Sequence, residues 1–193
     1  MYRAATGAAT AVLAAQQGWA VAVNYASNPS AAHSVVQQIQ DAGGTAIAVQ
    51  GDVGDEAHIL RIFAEVDAKL GRISGLVNNA GVVDVTAKVQ DQSWARWERM
   101  IHINVLGSFA CACEAVKRMS TAHGGSGGSI VNVSSAAARL GAPGQYVDYA
   151  AAKSAIDAFT IGLAKEVAQA IVWLLSDAAS YTTMSLMKIS GGR

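Results

Sequence analysis

Ile130-Val131-Asn132-Val133-Ser134-Ser135-Ala136-Ala137-Ala138-Arg139-Leu140-Gly141-Ala142-Pro143-Gly144-Gln145-Tyr146-Val147-Asp148-Tyr149-Ala150-Ala151-Ala152-Lys153 reads as a strand, a turn and the opening of a helix. The apolar run at 130–133 has the character of a buried strand, and the small residues after Tyr146 favour helix. On that helix Tyr149 and Lys153 stand at i and i+4, on one face and one above the other. A nearby ammonium favours phenolate and lowers a pKa that starts at about 10, which suits a proton donor and acceptor near neutral pH. A hydroxyl from the strand end, Ser134 or Ser135, is placed to hydrogen-bond an oxygen on which charge develops. A Tyr and a Lys four apart also occur on solvated helix faces, so the neighbouring segments decide.

Outward from this stretch the chain alternates strands with helices. Met1 to Thr6 is expected as a short first strand, followed by Gly7 and an alanine-rich helix to about Gln17. Further strands are expected over 19–25, 45–50, 73–77 and 184–189. Asn28-Pro29-Ser30 opens one helix, and Asp55 caps another that carries Ile59, Ile62, Phe63, Val66 and Leu70 at helical spacing. Cys111 lies in a helical region through Asn104, Phe109, Val116 and Met119; 124–128 reads as a flexible connection. The Tyr149 helix is expected to reach about Val167, with a further helical stretch over 170–175.

This spacing implies βαβ units and an α/β fold with a doubly wound, Rossmann-type parallel sheet in a single domain over 1–193. In such sheets ligands bind at the carboxyl ends of the strands. Gly7, Asn24, Asp52, Asn79 to Gly81 and Ser134-Ser135 all fall at such ends, which points to a nucleotide or a similarly extended ligand.

Composition agrees. The 193 residues are 52% hydrophobic and 15% charged with a formal net charge of zero, enough apolar material for a sizeable core. A neutral chain with no basic stripe gives no electrostatic case for nucleic acid or a membrane surface. No apolar run approaches the ~18 residues needed to span a bilayer. The alanine-rich start, which loosely imitates a leader peptide, reads as part of the fold. Cys111 and Cys113 lack the spacing of a disulfide framework or zinc site and are expected as small buried thiols in a reducing, cytoplasmic compartment.

Asp52-Val53, Asn78-Asn79-Ala80-Gly81, Asn104, the Ser134-Ser135 strand end and Tyr149-Ala150-Ala151-Ala152-Lys153 together resemble the short-chain dehydrogenase/reductases. The nearest flavour is the group of 3-oxoacyl-carrier-protein reductases and glucose 1-dehydrogenase-like oxidoreductases. The resemblance implies an NAD(P)(H)-dependent oxidoreductase acting on a small carbonyl or alcohol substrate. It assigns Tyr149 as catalytic acid/base and Lys153 as the cation that lowers its pKa and holds the nicotinamide ribose. Ser135, by its spacing to Tyr149, would be the catalytic serine ahead of Ser134, and Asn104 would hold a proton-relaying water. Asp52 and Val53 would flank the adenine, with Asn79, Ala80 and Gly81 lining the cofactor cleft. Family members usually assemble as homodimers or homotetramers. For Asn79 and Asn104 the residues alone also allow a turn residue closing its strand and a polar helix residue bonded to backbone.

Two departures stand out. The family opens with T-G-x-x-x-G-x-G, whose glycines let backbone approach the pyrophosphate at a helix N-terminus. Here Thr6-Gly7 runs directly into Ala8-Ala9-Thr10. After the Tyr149 helix the family carries another strand, a Pro-Gly turn and a substrate lid, but here Glu166-Val167-Ala168 runs into Gln169-Ala170. Both gaps fall at loops that close over ligands, so the sequence is expected to be discontinuous near 7–8 and 166–170 relative to a longer chain. The competing reading is a protein deleted at these loops.

Asn24-Tyr25-Ala26-Ser27-Asn28 ends its strand without a carboxylate for a ribose 2′-hydroxyl, which favours NADP(H) over NAD(H). The alternatives to the oxidoreductase are a non-catalytic Rossmann protein, serving as nucleotide sensor or assembly subunit, and an epimerase or dehydratase using the same Tyr/Lys pair.

Overall fold

The computed structural model describes residues 2–166. They form two compact units, Met1–Val82 with Ile101–Val131, and Val83–Met100 with the chain from Asn132 onward.

In the first unit, α1 (Tyr2–Gln16) precedes β1 (Val21–Tyr25). The strand expected at the N-terminus is therefore helix. The alanine-rich stretch over 8–15 favours helix, and no alternating β-branched residues before it resist propagation backwards. Thr10 Oγ1 donates to the Thr6 carbonyl one turn earlier, 2.9 Å away, across Gly7. Gly7 thus lies inside a helix instead of a strand-to-helix turn.

The next helix, α2 (Pro29–Asp41), starts where its sequence dictates: Asn28 Oδ1 accepts from the Ala31 amide at 3.1 Å, and Pro29 occupies the first turn, where its missing N–H costs nothing. Ala32, Val36 and Ile39 are buried. β2 (Ala46–Gln50) pairs in parallel with β1, from Val21 opposite Ala46 to Tyr25 opposite Gln50. α3 (Glu56–Leu70) is capped by Asp55, whose carboxylate accepts from the His58 amide, and ends at Gly71 with φ of 82°.

β3 (Gly75–Asn78) pairs with β4 (Ser129–Asn132). Leu76 and Ile130 pack onto a core of Ile59, Phe63, Cys111, Ala115 and Met119, contributed by α3 and by α5 (Gly107–Met119). Val49, Ile62 and Val66 form a second cluster beneath β1 and β2. The glycine run at 124–128, expected as a flexible connection, folds back on the end of α5: Gly125 and Gly127 donate to the Ser120 and Met119 carbonyls, both at 2.9 Å. Cys111 is buried as expected; Cys113, two residues on and facing the other way, is exposed.

The second unit contains α4 (Trp94–Ile101, its last residue across the unit boundary), α6 (Ala137–Leu140) and α7 (Val147–Glu166). Ser154 Oγ, on α7, lies 2.9 Å from the Ala138 carbonyl of α6. The helix and strand expected over 170–175 and 184–189, like the break near 166–170, lie outside the described residues. Among the described residues no helix is long and apolar enough to cross a membrane.

Candidate active site

In the second unit the end of β4 is stitched to α7 by three consecutive residues. Asn132 Nδ2 donates to Thr160 Oγ1 at 2.9 Å, and Thr160 donates onward to the Ile156 carbonyl at 2.7 Å. Lys153 Nζ donates to the Val133 carbonyl at 2.5 Å. Ser134 Oγ donates, at 3.4 Å, to the Lys153 carbonyl. Tyr149 and Lys153 are both buried, Lys153 to 1% exposure, although a lysine is seldom fully buried without partners. These bonds fix the strand end that delivers the serines against the helix that carries the phenol and the ammonium.

The two serines are used differently. Ser134 Oγ donates to α7 backbone, whereas Ser135 Oγ accepts from the Ala137 amide at 3.2 Å. A hydroxyl engaged as acceptor keeps its proton to donate. The two hydroxyls thus have different partners in the structure.

In the first unit the chain after β3 is anchored from a helix. Asn104 is fully buried within a π-helical segment, His102–Leu106, ahead of α5. Its side chain clasps Val82, accepting from the amide and donating to the carbonyl, both at 2.9 Å. Four residues earlier, at the end of β3, Asn78 Nδ2 donates to the Ser108 carbonyl at 3.0 Å, and Ser108 Oγ donates to the Asn104 carbonyl at 3.3 Å. The Asn79-Ala80-Gly81 segment is therefore pinned on both sides. π-Bulges of this kind concentrate at functional sites because the extra residue re-aims backbone groups. The backbone-bonding role that the sequence allowed for Asn104 is the one its side chain adopts.

The other strand-end residues group pairwise. A Cβ on Gly7 would lie 2.8 Å from Asn79 Nδ2, so α1 approaches this strand end where a side chain would obstruct it. The Asn24 amide bridges to the end of β2, donating to the Val49 and Gly51 carbonyls at 3.2 and 2.9 Å. Asp52 is exposed, with Oδ1 accepting from the Gly54 amide at 2.8 Å. Val53 lies beneath α5, where a Cβ on Gly107 would collide with its carbonyl oxygen. Nothing in the sequence announced Gly107 or the Asn78–Ser108 bond.

Sequence reasoning also missed a buried ion pair in the second unit, between Arg96 of α4 and Asp148 in the first turn of α7. Its one visible signal was an acidic residue directly before Tyr149, where a helix N-terminus favours negative charge. The partner, 52 residues away, carries no mark in the sequence.

Residues 4–186 match the short chain dehydrogenase family profile. The chain belongs to the short chain dehydrogenase family. It is 42% identical over 234 residues to an uncharacterized oxidoreductase, YgfF, of Escherichia coli, covering 97% of this chain and 95% of that protein. That alignment is longer than the 193 residues here, so part of the relative's length aligns with no residue of this sequence. A 3-oxoacyl-[acyl-carrier-protein] reductase of Synechocystis is 38% identical over 84% of this chain, which spans 64% of the relative's length. Among solved structures, a blue fluorescent protein from a metagenomic library, in complex with NADPH, superposes with a TM-score of 0.75 at 29% identity, over 84% of this chain and 65% of the other. The Rossmann-type α/β fold expected from the alternating strands is the fold of this family.

Proposed function

We propose that this oxidoreductase transfers a hydride between nicotinamide C4 and a carbonyl or alcohol carbon, with Tyr149 as proton donor and acceptor. The observation that carries the reading is Lys153: a buried ammonium, one helical turn from Tyr149, held on the backbone of the strand end that carries Ser135. In this reading Ser135 donates a hydrogen bond to the reacting oxygen, and Tyr149 gives that oxygen its proton during reduction or takes it during oxidation. Lys153 favours phenolate and offers an N–H to a ribose hydroxyl. Asn104 keeps the Asn79–Gly81 segment in place through Val82, and in this reading it would also hold a proton-relaying water. The nicotinamide, when bound, supplies or accepts the hydride.

The residues fit the two ends of such a cofactor better than its middle. Exposed Asp52 with Val53 suits an adenine, and the carboxylate-free end of β1 at Asn24 suits a 2′-phosphate, so NADP(H) is favoured over NAD(H). The relative in complex with NADPH points the same way. No glycine turn for the pyrophosphate is present among the described residues, since Gly7 lies within α1. That observation favours a second reading, a non-catalytic nucleotide-binding or assembly protein. The substrate expected is a small carbonyl or alcohol, the setting the cytoplasm, and the assembly a homodimer or homotetramer, the last checked by light scattering.

Replacing Tyr149 by Phe tests the catalytic reading. NADPH-dependent reduction of simple ketones and aldehydes should be lost while NADPH still quenches protein fluorescence with its original affinity. Retained turnover would defeat the role given to Tyr149, and tighter binding of NADH than NADPH would reverse the cofactor preference. Binding of NADPH without turnover by the unaltered chain would favour a non-catalytic nucleotide-binding protein, and failure both to bind and to turn over would favour an assembly protein.

A further inference from the structure

Arg96 makes three directed bonds with its guanidinium. Nε donates to Asp148 Oδ2 at 2.7 Å and Nη2 to Asp148 Oδ1 at 3.1 Å, a two-pronged pair, while Nη1 donates to the Val85 carbonyl at 2.7 Å. Both side chains are withdrawn from solvent, 8% exposed for Arg96 and 5% for Asp148. A second tie runs alongside. The Ala87 amide donates to the Gln145 carbonyl at 3.0 Å, Gln92 Nε2 to the Ala87 carbonyl at 3.1 Å, and Trp97 Nε1 to Gln92 Oε1 at 2.8 Å. The segment 85–97 thus grips the chain on both sides of the entry into α7, at Gln145 and at Asp148, the residue before Tyr149.

A buried ion pair is a poor way to gain stability, because desolvation of the two charges offsets their attraction. What a bidentate guanidinium–carboxylate pair supplies is orientation, since its planar fork accepts one geometry. The chemistry assigned to Tyr149 needs a phenol oxygen held to a fraction of an ångström, and a residue at the first turn of a helix is otherwise where fraying is greatest. We propose that Arg96 and Asp148 are positioning residues for Tyr149: their two-pronged bond clamps the first turn of α7 to the Val85 segment and holds the phenol in register with Lys153. This rests on the acid/base reading of Tyr149, through which the pair would act without touching substrate.

Arg96→Lys is the informative change, because it keeps the charge and loses the fork. The full chain is labelled at tyrosine Cζ with ¹³C, and the Tyr149 resonance is identified as the one missing from Tyr149→Phe. In Arg96→Lys the Tyr149 titration midpoint should move by about one pH unit as the phenol leaves Lys153. The kcat for NADPH-dependent carbonyl reduction should fall about tenfold with KM for NADPH nearly unchanged. A folded Arg96→Lys protein with the original midpoint and kcat would overturn the proposal. Should that variant not fold, Asp148→Asn, of nearly the same shape, is read in its place; if neither folds, the pair is a folding element and the proposal falls. Turnover surviving Tyr149→Phe would defeat the acid/base reading instead, and the titration midpoint would still decide whether Arg96 positions Tyr149.

Discussion

Asn104 and Val82 form a closed two-bond clasp: the side-chain amide of one satisfies both backbone groups of the other, at 2.9 Å in each direction. The helix residue thereby supplies what a neighbouring strand would supply, so the chain can leave the sheet after Asn78 without orphaning its backbone.

Replacing Asn104 by Leu should therefore cost about 2 kcal/mol or more in urea unfolding, since the Val82 amide and carbonyl lose partners while a similar volume is retained. An unchanged midpoint would mean that water replaces the clasp.

The close approach of α5 to Val53 gives a sharper expectation. Gly107→Ala places a methyl group against the Val53 carbonyl, backbone that cannot swing aside. A loss of about 1–3 kcal/mol is expected. Under the proposed function, NADPH affinity should weaken as well, because Val53 is displaced.

Thr160→Val removes the hydroxyl that accepts from Asn132 and keeps the shape. Stability should drop by about 1 kcal/mol. A larger fractional loss in kcat than in KM would show that the tie places the serine strand end.

Acid should loosen the pairing of α3 with α5. Glu114 is buried, and its carboxyl titrates below the ordinary 4.5 chiefly because Lys117 donates to it, with burial opposing and Arg118 adding to the lowering. Arg118 also reaches Asp67 on α3 at 2.8 Å and stacks over Phe63. A carboxyl lowered in the folded state stabilises fully above its unfolded pKa, and that stabilisation is lost as pH falls through the lowered value. Glu114→Gln should therefore flatten the decline of the thermal midpoint below about pH 4.5.

Where a signal was local, the sequence spoke clearly. Asn28 before Pro29, and Asp55 before an amphipathic run, cap helices because their oxygens meet amides three residues on. The strands at β1 to β4 follow from short apolar runs bounded by turns. Tyr149 and Lys153 were legible because four residues make one helical turn. The N-terminal segment misled because a strand was expected there from the alternation of strands and helices along the chain, whereas its own residues, alanine above all, favour helix. Gly107 against Val53, Asn78 with Ser108, and Arg96 with Asp148 join residues distant along the chain. Such contacts arise from how elements pack, and a single sequence records the residues without the pairing.

The ammonium of Lys153 rests on the Val133 carbonyl beneath a surface that leaves it 1% exposed. An amine whose lone pair is never offered to solvent is invisible to acylating and alkylating probes. A proteome-wide search for reactive lysines would tag Lys69 and Lys117, both more than half exposed, and pass over this one. Under the proposed function, reagent reactivity and chemical importance would run in opposite directions, and the lysine assigned to the reaction would be the one that labelling scores as inert.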